Sequence, residues 1–70
     1  MVDIDTLNIF IDKECTIFVD LRSERIDFRH CFLVKVDSTF ATIKNITGPL
    51  ADKHEALPIS KIIRIAEGKL

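Results

Sequence analysis

The stretch of residues 11–46 constrains the fold of this chain more than any other feature. Apolar and polar residues alternate along three successive runs, and short polar turns separate these runs. A period of two is typical of β-strands, and no helical period of 3.6 fits the apolar positions of this stretch. In a chain of 70 residues, such a run leaves room for little except one small twisted sheet or barrel.

The first twelve residues predict a short helix. Asp3 or Asp5 can cap a helix over about residues 3–12, although Ile9 and Ile11 also fit the alternation of a strand. The Asp5-Thr6 start signal favours one or two helical turns.

Five strands follow the predicted helix. The alternation predicts them over residues 13–21, 26–36, 40–46, 54–57 and 61–66. Residues 22–25 suit a hairpin loop, residues 37–39 and 58–60 suit tight turns, and residues 67–70 form a tail. We therefore expect one domain over residues 1–70, which is all-β with a short N-terminal helix. Its five-stranded, strongly bent antiparallel sheet should form a small SH3-like barrel.

The second predicted strand is long, and the choice between its two faces decides which residues enter the core. Its even-numbered positions are almost all apolar, whereas its odd-numbered positions include three charged residues. We therefore expect the even-numbered face to be buried. The strand has no glycine, so its bend should come from a β-bulge near His30 and Cys31. The expected core includes Ile17, Val19, Phe28, Phe32, Val34, Ile43, Ile63 and Ile65.

Size and charge limit what the domain can do. A domain of this size buries only about 60% of its unfolded surface. The hydrophobic fraction of 47% is high for a domain of this size. We expect further copies of the chain to cover the apolar surface that one copy cannot bury. The net charge is −1, whereas a protein that binds duplex phosphates without sequence preference normally carries an excess of basic residues. Any contact with nucleic acid must therefore be local.

The two cysteines, Cys15 and Cys31, belong to no C-x-x-C motif and no His/Cys cluster. Cys15 lies in phase with Ile17, Val19 and Leu21, which predicts a small buried hydrophobic residue. A disulfide between adjacent strands is the alternative.

The start of the chain does not fit a signal peptide, because Met1 is followed by Asp3 and Asp5 rather than by a basic and then an apolar run. No apolar stretch approaches the ~20 residues that a membrane span needs. The sequence therefore favours a cytoplasmic location.

No pattern in the sequence indicates catalysis, a cofactor or a metal. Ser38 and Ser60 lie in predicted turns, without a histidine and a carboxylate in a recognisable motif. The only glycines are Gly48 and Gly68, so the chain has no glycine-rich phosphate loop. His30 shares the apolar phase of its strand, which favours a buried, hydrogen-bonded histidine over a zinc ligand. We expect a protein that is not an enzyme.

The order of these elements resembles the Sm-like family, which includes the Lsm proteins and bacterial Hfq. In that family a helix leads into a hydrophobic strand, and a bent second strand ends in a hydrophobic residue and Asp. Val36-Asp37 matches that step, and Lys44-Asn45 is similar to a Lys-Asn pair of Hfq at a similar spacing. The resemblance covers about residues 7–65, and it implies an Sm-like barrel that binds single-stranded RNA.

Several positions depart from the family pattern. His30 or Cys31 replaces the glycine of the bent strand, and Ala41 stands where Sm proteins place an asparagine after the Asp turn. The Arg-Gly of the second motif falls on Pro58-Ile59. In this alignment most of the family's RNA-contacting residues are missing.

A second alignment places Lys53-His54 on the Lys-His pair of Hfq. It requires a strand over residues 49–52, which Gly48-Pro49 argues against, and it leaves four extra residues before the last strand. The first alignment is therefore preferred. Lys53-His54 could contact a phosphate or a base edge, although a solvated loop tip without a function is the more common role of such a pair.

Two functions from different classes remain open. One is a non-enzymatic Sm-like ring protein that binds single-stranded RNA, and the order of the elements favours it. The other is a structural or protein-assembly module that has lost the RNA contacts, which the missing motif residues and the net charge favour. Phe40 could stack on a base, although an aromatic residue that opens a strand is more often part of the core. The candidate RNA-binding residues are Asp37, Thr39, Phe40, Lys53, His54 and Ser60.

The last expectation is a homo-oligomer. The strands over residues 54–57 and 61–66 should be the edges of the sheet, and the second of these is too apolar to be left in water. The resemblance implies that the fourth strand of one subunit lies beside the fifth strand of the next. Such pairing would close a ring of five to seven copies.

Overall fold

One short helix and five strands make up the structure, a computed structural model that describes residues 2–22 and 25–68. Helix α1 spans Ile4–Asn8, and a 3₁₀ helix spans Ile59–Lys61. The five strands are confirmed within one residue of their expected bounds. The predicted hairpin loop includes residues 23 and 24 and the tail includes residues 69 and 70, all of which lie outside the described residues. Strands β1 to β5 span Glu14–Arg22, Arg25–Val36, Phe40–Asn45, His54–Pro58 and Ile62–Glu67.

Helix α1 is shorter than the prediction of about residues 3–12. Asp3 caps it, since its carboxylate accepts a hydrogen bond from the Thr6 N–H at 2.8 Å. Beyond the helix, Ile11 forms an isolated bridge with Leu33, and the Asp12 N–H donates to the Leu33 carbonyl at 2.8 Å. Asp12 itself has a left-handed backbone with φ of 66°, which no helix can continue through. The chain therefore leaves the helix early and joins β2.

The five strands form one antiparallel sheet in the order β4-β3-β2-β1-β5. Strand β2 serves two ladders, because its part from Arg25 to Phe32 pairs with β1 and its part from Cys31 to Val36 pairs with β3. No ladder joins β4 to β5 in the part of the chain that is described, so the sheet is open. Strands β4 and β5 are its two edges.

The core lies on one face of this sheet, beneath α1 and the 3₁₀ helix. The side chains of Cys15, Ile17 and Val19 point into it from β1, as the alternation predicted, whereas Leu21, expected on the same face, is exposed beyond the register shift of β1 and β2. Leu7 is the buried residue of α1. The whole buried apolar cluster comprises Leu7, Cys15, Ile17, Val19, Cys31, Leu33, Ala41, Ile43, Leu57, Ile59 and Ile62.

The prediction for the buried face of β2 was wrong. Cys31 and Leu33 are buried, whereas Phe28, Phe32 and Val34 are exposed. The reason is the β1–β2 register: Cys15 pairs with Cys31, so the odd-numbered residues of both strands share the inner face. The expected bulge near His30 and Cys31 is also absent, because both residues pair regularly with β1. The irregularity in the β2–β3 ladder lies between Leu33 and Lys35.

A second irregularity changes the buried face of β5. The β1–β5 register shifts between Phe18 and Val19, so that Val19 pairs with Ile62 while Phe18 pairs with Arg64. Ile62 is 1% exposed, whereas Ile63 is 43% exposed. The expected core position of Ile63 is therefore wrong, and Ile62 fills it. Ile65 is partly buried against the core.

Candidate functional site

The turn between β2 and β3 is built around Asp37. Its Oδ1 accepts hydrogen bonds from the backbone N–H of Thr39 at 2.8 Å and of Phe40 at 2.7 Å. These two bonds, that of Phe40 first, hold the pKa of the Asp37 carboxyl below its ordinary value. Asp37 was a candidate RNA ligand, but its carboxylate already serves the turn.

The same turn contacts the 3₁₀ helix between β4 and β5. The Ile59 N–H donates to the Thr39 carbonyl at 2.9 Å, and Phe40 pairs with Pro58 at the end of the β3–β4 ladder. An open groove of about 580 Å³ lies there. The lining residues come from three segments and are Val2, Asp3, Ile4, Asp5, Ser38, Thr39, Phe40, Pro58, Ile59 and Ser60. We call this site the turn groove.

The turn groove has apolar walls and acidic groups at one side. Asp3 and Asp5 lie at its N-terminal wall, and none of its ten lining residues is basic. Hydrogen bonds from Thr6, the side-chain bond first, lower the pKa of Asp3, so this carboxyl is charged at neutral pH. Such a charge repels phosphate and attracts a cationic group.

Three of the six candidate RNA-binding residues meet in the turn groove. Thr39, Phe40 and Ser60 line it together, although they come from two separate connections of the chain. Phe40 is 41% exposed, so its ring is accessible at the groove wall. Sequence reasoning missed the N-terminal residues of the groove, because nothing local shows where α1 packs.

Lys53 and His54 do not belong to the turn groove. His54 opens β4 and pairs with Lys44, while the groove lies at Pro58, the opposite end of the same strand. Four residues of extended chain separate the two ends, which is roughly 13 Å. Lys53 and His54 are both exposed. The structure therefore separates the six candidates into two places.

A polar cluster on the inner face was not anticipated by the sequence. The Arg29 Nε donates to the Glu55 Oε1 at 3.0 Å, and the buried Asn45 directs its Nδ2 at the same oxygen, 3.4 Å away. Asn45 also lies 3.4 Å from the Lys53 carbonyl. These contacts connect β2, β3 and β4. They are structural, because each group has a partner within the sheet.

His30 agrees with its interpretation as a buried, hydrogen-bonded histidine. Its side chain is 9% exposed, and its Nε2 lies 2.9 Å from the Glu14 Oε2. Its Nδ1 is buried and has no hydrogen-bond partner among the described residues. His30 also borders a smaller cavity of about 260 Å³ beneath the 47–50 loop.

The outer face of the sheet carries exposed aromatic rings. Phe18 and Phe28 are cross-strand partners whose ring centroids lie 6.4 Å apart, and Phe28 is 67% exposed. The guanidinium of Arg64 lies 5.4 Å from the centroid of Phe18, within the range of a cation–π contact. Phe18 itself is half-buried.

Neither a cluster of metal-binding side chains nor a helix able to cross a membrane occurs among the described residues. Among them, no group of three or more His, Cys, Asp or Glu side chains is arranged to hold a metal ion. Over residues 2–22 and 25–68, no helix has the length and apolar character that crossing a bilayer requires.

Comparison of this chain with protein-family models, curated proteins and solved structures finds no match. The class is therefore defined by the structure alone: a small, open, five-stranded antiparallel sheet with one short helix.

Proposed function

We propose that this chain is a non-enzymatic assembly module, an Sm-like barrel whose copies join edge to edge into a ring and bind a protein partner. One observation carries the proposal. Strands β4 and β5 end the sheet at opposite sides, and no described strand covers their outer edges. These are the two strands that the resemblance to the Sm-like family pairs between neighbouring subunits.

The backbone hydrogen bonds identify which groups these edges offer. The Asn45 N–H donates to the Lys53 carbonyl, so the odd-numbered residues of β4 bond to β3. The backbone groups of His54 and Ala56 consequently point outward. At the other edge, the Gly68 N–H donates to the Glu14 carbonyl, so the even-numbered residues at this end of β5 bond to β1. The backbone N–H and carbonyl of Ile65 therefore point away from β1, toward the open edge.

Two different edges of one sheet favour a ring over a dimer. If β4 of one copy pairs with β5 of the next, the contact is heterologous, because it joins two different surfaces. A series of such contacts closes into a ring when the rotation from one copy to the next divides a full turn evenly. Each contact would also cover part of the apolar side chain of Ile63, which is now 43% exposed. We expect five to seven copies in the ring.

The turn groove supports a protein rather than RNA as the partner. Its apolar wall includes Ile4, Phe40 and Ile59, and its charged groups are the carboxylates of Asp3 and Asp5. An apolar peptide segment with a lysine or arginine fits this combination, because the cation can pair with either carboxylate.

Binding of single-stranded RNA is the second candidate, and one observation favours it. Thr39, Phe40 and Ser60 converge in one groove with an accessible aromatic ring, on which a base can stack. The acidic wall of the groove opposes it, since phosphates would approach Asp3 and Asp5.

Ala56→Pro tests the assembly. Proline removes the outward N–H of Ala56 but none of the bonds between β3 and β4, and proline is tolerated on an edge strand. Light scattering should give five to seven subunits for the wild type and a smaller mass for Ala56→Pro. Ala56→Ser keeps the N–H and is the matched control, which should assemble like the wild type. A wild-type mass of 8.0 kDa would defeat the proposal.

A further inference from the structure

The inner face of the β1–β2 hairpin brings the two cysteines together. Cys15 and Cys31 are direct partners in the ladder, and both side chains are fully buried and free. The Leu33 N–H donates to the Lys13 carbonyl, so Lys13 and Leu33 are a hydrogen-bonded pair of the antiparallel ladder. Every second pair from there is also hydrogen-bonded, and the next such pair is Cys15 with Cys31. The Cα atoms of such a pair lie about 5.5 Å apart, which is within the range that a disulfide spans.

The two thiols interact with one another in the reduced protein. Contact with Cys31 lowers the pKa of Cys15, and contact with Cys15, together with burial, raises the pKa of Cys31. The Cys31 thiol donates a hydrogen bond to the Arg29 carbonyl oxygen, which lies 3.6 Å from its Sγ. Cys15 is therefore the thiol that becomes a nucleophile, and Cys31 is placed to resolve it.

We infer that Cys15 and Cys31 are a cross-strand dithiol that a small disulfide, such as glutathione disulfide, oxidises to an intramolecular disulfide within the folded domain. This inference goes beyond the proposed assembly function and does not depend on it. It rests on the register of β1 and β2, the burial of both side chains and their mutual contact.

The reaction balances as two thiol–disulfide exchanges. The Cys15 thiolate attacks one sulfur of glutathione disulfide, which forms a mixed disulfide and releases one glutathione thiolate. Cys31 then loses its proton and attacks the Cys15 sulfur, which releases the second glutathione. Two protein thiols lose two electrons and two protons, and one glutathione disulfide becomes two glutathione molecules.

Burial controls the rate of this reaction. Both cysteines belong to the buried cluster that includes Leu7 of α1, so the first attack requires a local opening of this end of the core. We expect slow oxidation in native buffer and faster oxidation in urea concentrations well below the unfolding midpoint. Oxidation should close the pair without a change in the strand register.

The test uses the full chain with glutathione disulfide and glutathione at graded ratios, with and without sub-denaturing urea. Intact mass spectrometry should show a species about 2 Da lighter than the reduced chain, because a disulfide has two hydrogens fewer. Its far-UV circular dichroism should match that of the reduced chain. Its thermal midpoint should be higher by roughly 10 °C, since the crosslink restricts the unfolded state. Dithiothreitol should reverse both changes.

Cys15→Ser and Cys31→Ser are the matched controls, and neither should give the lighter species. Persistent mixed disulfides, crosslinks between copies, or an oxidised chain with altered circular dichroism would each overturn the inference. So would the absence of oxidation in both arms while denatured chains oxidise.

Discussion

Arg29 and Glu55 form an ion pair that connects β2 to β4 across the end of β3, with 3.0 Å between the Arg29 Nε and the Glu55 Oε1. Their side chains are 21% and 25% exposed, so the pair is largely screened from water. Asn45 approaches the same carboxylate oxygen from β3. The pair lies on the inner face of the sheet, where sequence alternation had not placed charged residues.

Removal of one partner of this pair should destabilise the domain. Glu55→Ala leaves the Arg29 guanidinium poorly solvated and without its carboxylate, which costs about 1–3 kcal/mol. Urea unfolding of Glu55→Ala, Arg29→Ala and the double variant measures the coupling between the two side chains. The double variant should be destabilised by less than the sum of the single variants. Strict additivity would contradict the contact.

Ile62 and Ile63 should respond differently to the same substitution. Ile62→Ala removes a buried side chain and should lower the free energy of unfolding by about 2–5 kcal/mol. Ile63→Ala, at the exposed neighbour, should change the stability of the isolated subunit by less than about 1 kcal/mol. Chemical unfolding measured on the Ala56→Pro background, whose assembly should be weakened, separates folding from assembly. Equal losses for both variants would contradict the register shift between β1 and β5.

The Asp37 turn should make a pH-dependent contribution to stability. Because the folded-state pKa of Asp37 is lowered from 3.8, its ionised form contributes stability above that pH, and this stability is lost as the pH falls through the folded pKa. Asp37→Ala should therefore lower the thermal midpoint at pH 7, and the difference from the wild type should shrink below about pH 4. Ser38→Ala, in the same turn, should show no such pH dependence. A difference that stays constant down to pH 2 would refute the turn's role.

Single-stranded RNA should bind only weakly, because Asp3 and Asp5 line the turn groove. Fluorescence anisotropy with short U-rich and A-rich oligonucleotides, at low and moderate salt, measures this directly. If the turn groove is the site, Phe40→Leu should weaken binding by removing the stacking surface, whereas Lys53→Ala should leave it nearly unchanged. Asp3→Asn should strengthen it by removing a repelling charge. If no salt-sensitive binding of RNA is found at tens of micromolar, the RNA-binding candidate is refuted and the proposal of a protein partner is the one that remains.

The candidate site was only partly predictable from the sequence. The turn at Asp37 was recognisable because an Asp before Ser-Thr accepts hydrogen bonds from its own backbone. The position of Ser60 beside Thr39 depends on how β4 pairs with β3, which no local pattern in the sequence shows. The acidic wall at Asp3 and Asp5 depends on how α1 packs, and a five-residue helix carries too little pattern to show that.

The alternation of apolar and polar residues predicted five strands and their bounds within one residue, because side-chain direction in a strand has a period of two, and the short turns between the strands predicted that they are antiparallel. It also identified Cys15, Ile17 and Val19 correctly as the inner face of β1. Only the tertiary structure decided which face of β2 meets them. Arg22 pairs with Arg25, as a four-residue turn requires, but the ladder is irregular between Val19 and Arg22.

If the register of the Arg22–Arg25 pair continued along the ladder, Val19 would pair with Phe28. Val19 instead pairs with Asp27, one residue earlier in β2. A shift of one residue moves every side chain of a strand to the other face of the sheet. The shift in register therefore places Cys31 and Leu33 in the core and leaves Phe28, Phe32 and Val34 exposed. The local pattern of β2 favours its even-numbered face, although Cys31 and Leu33 also make the odd-numbered face apolar, so the pattern predicts the wrong buried face. The choice is made by pairing with β1 and by the free energy of burying the whole sheet.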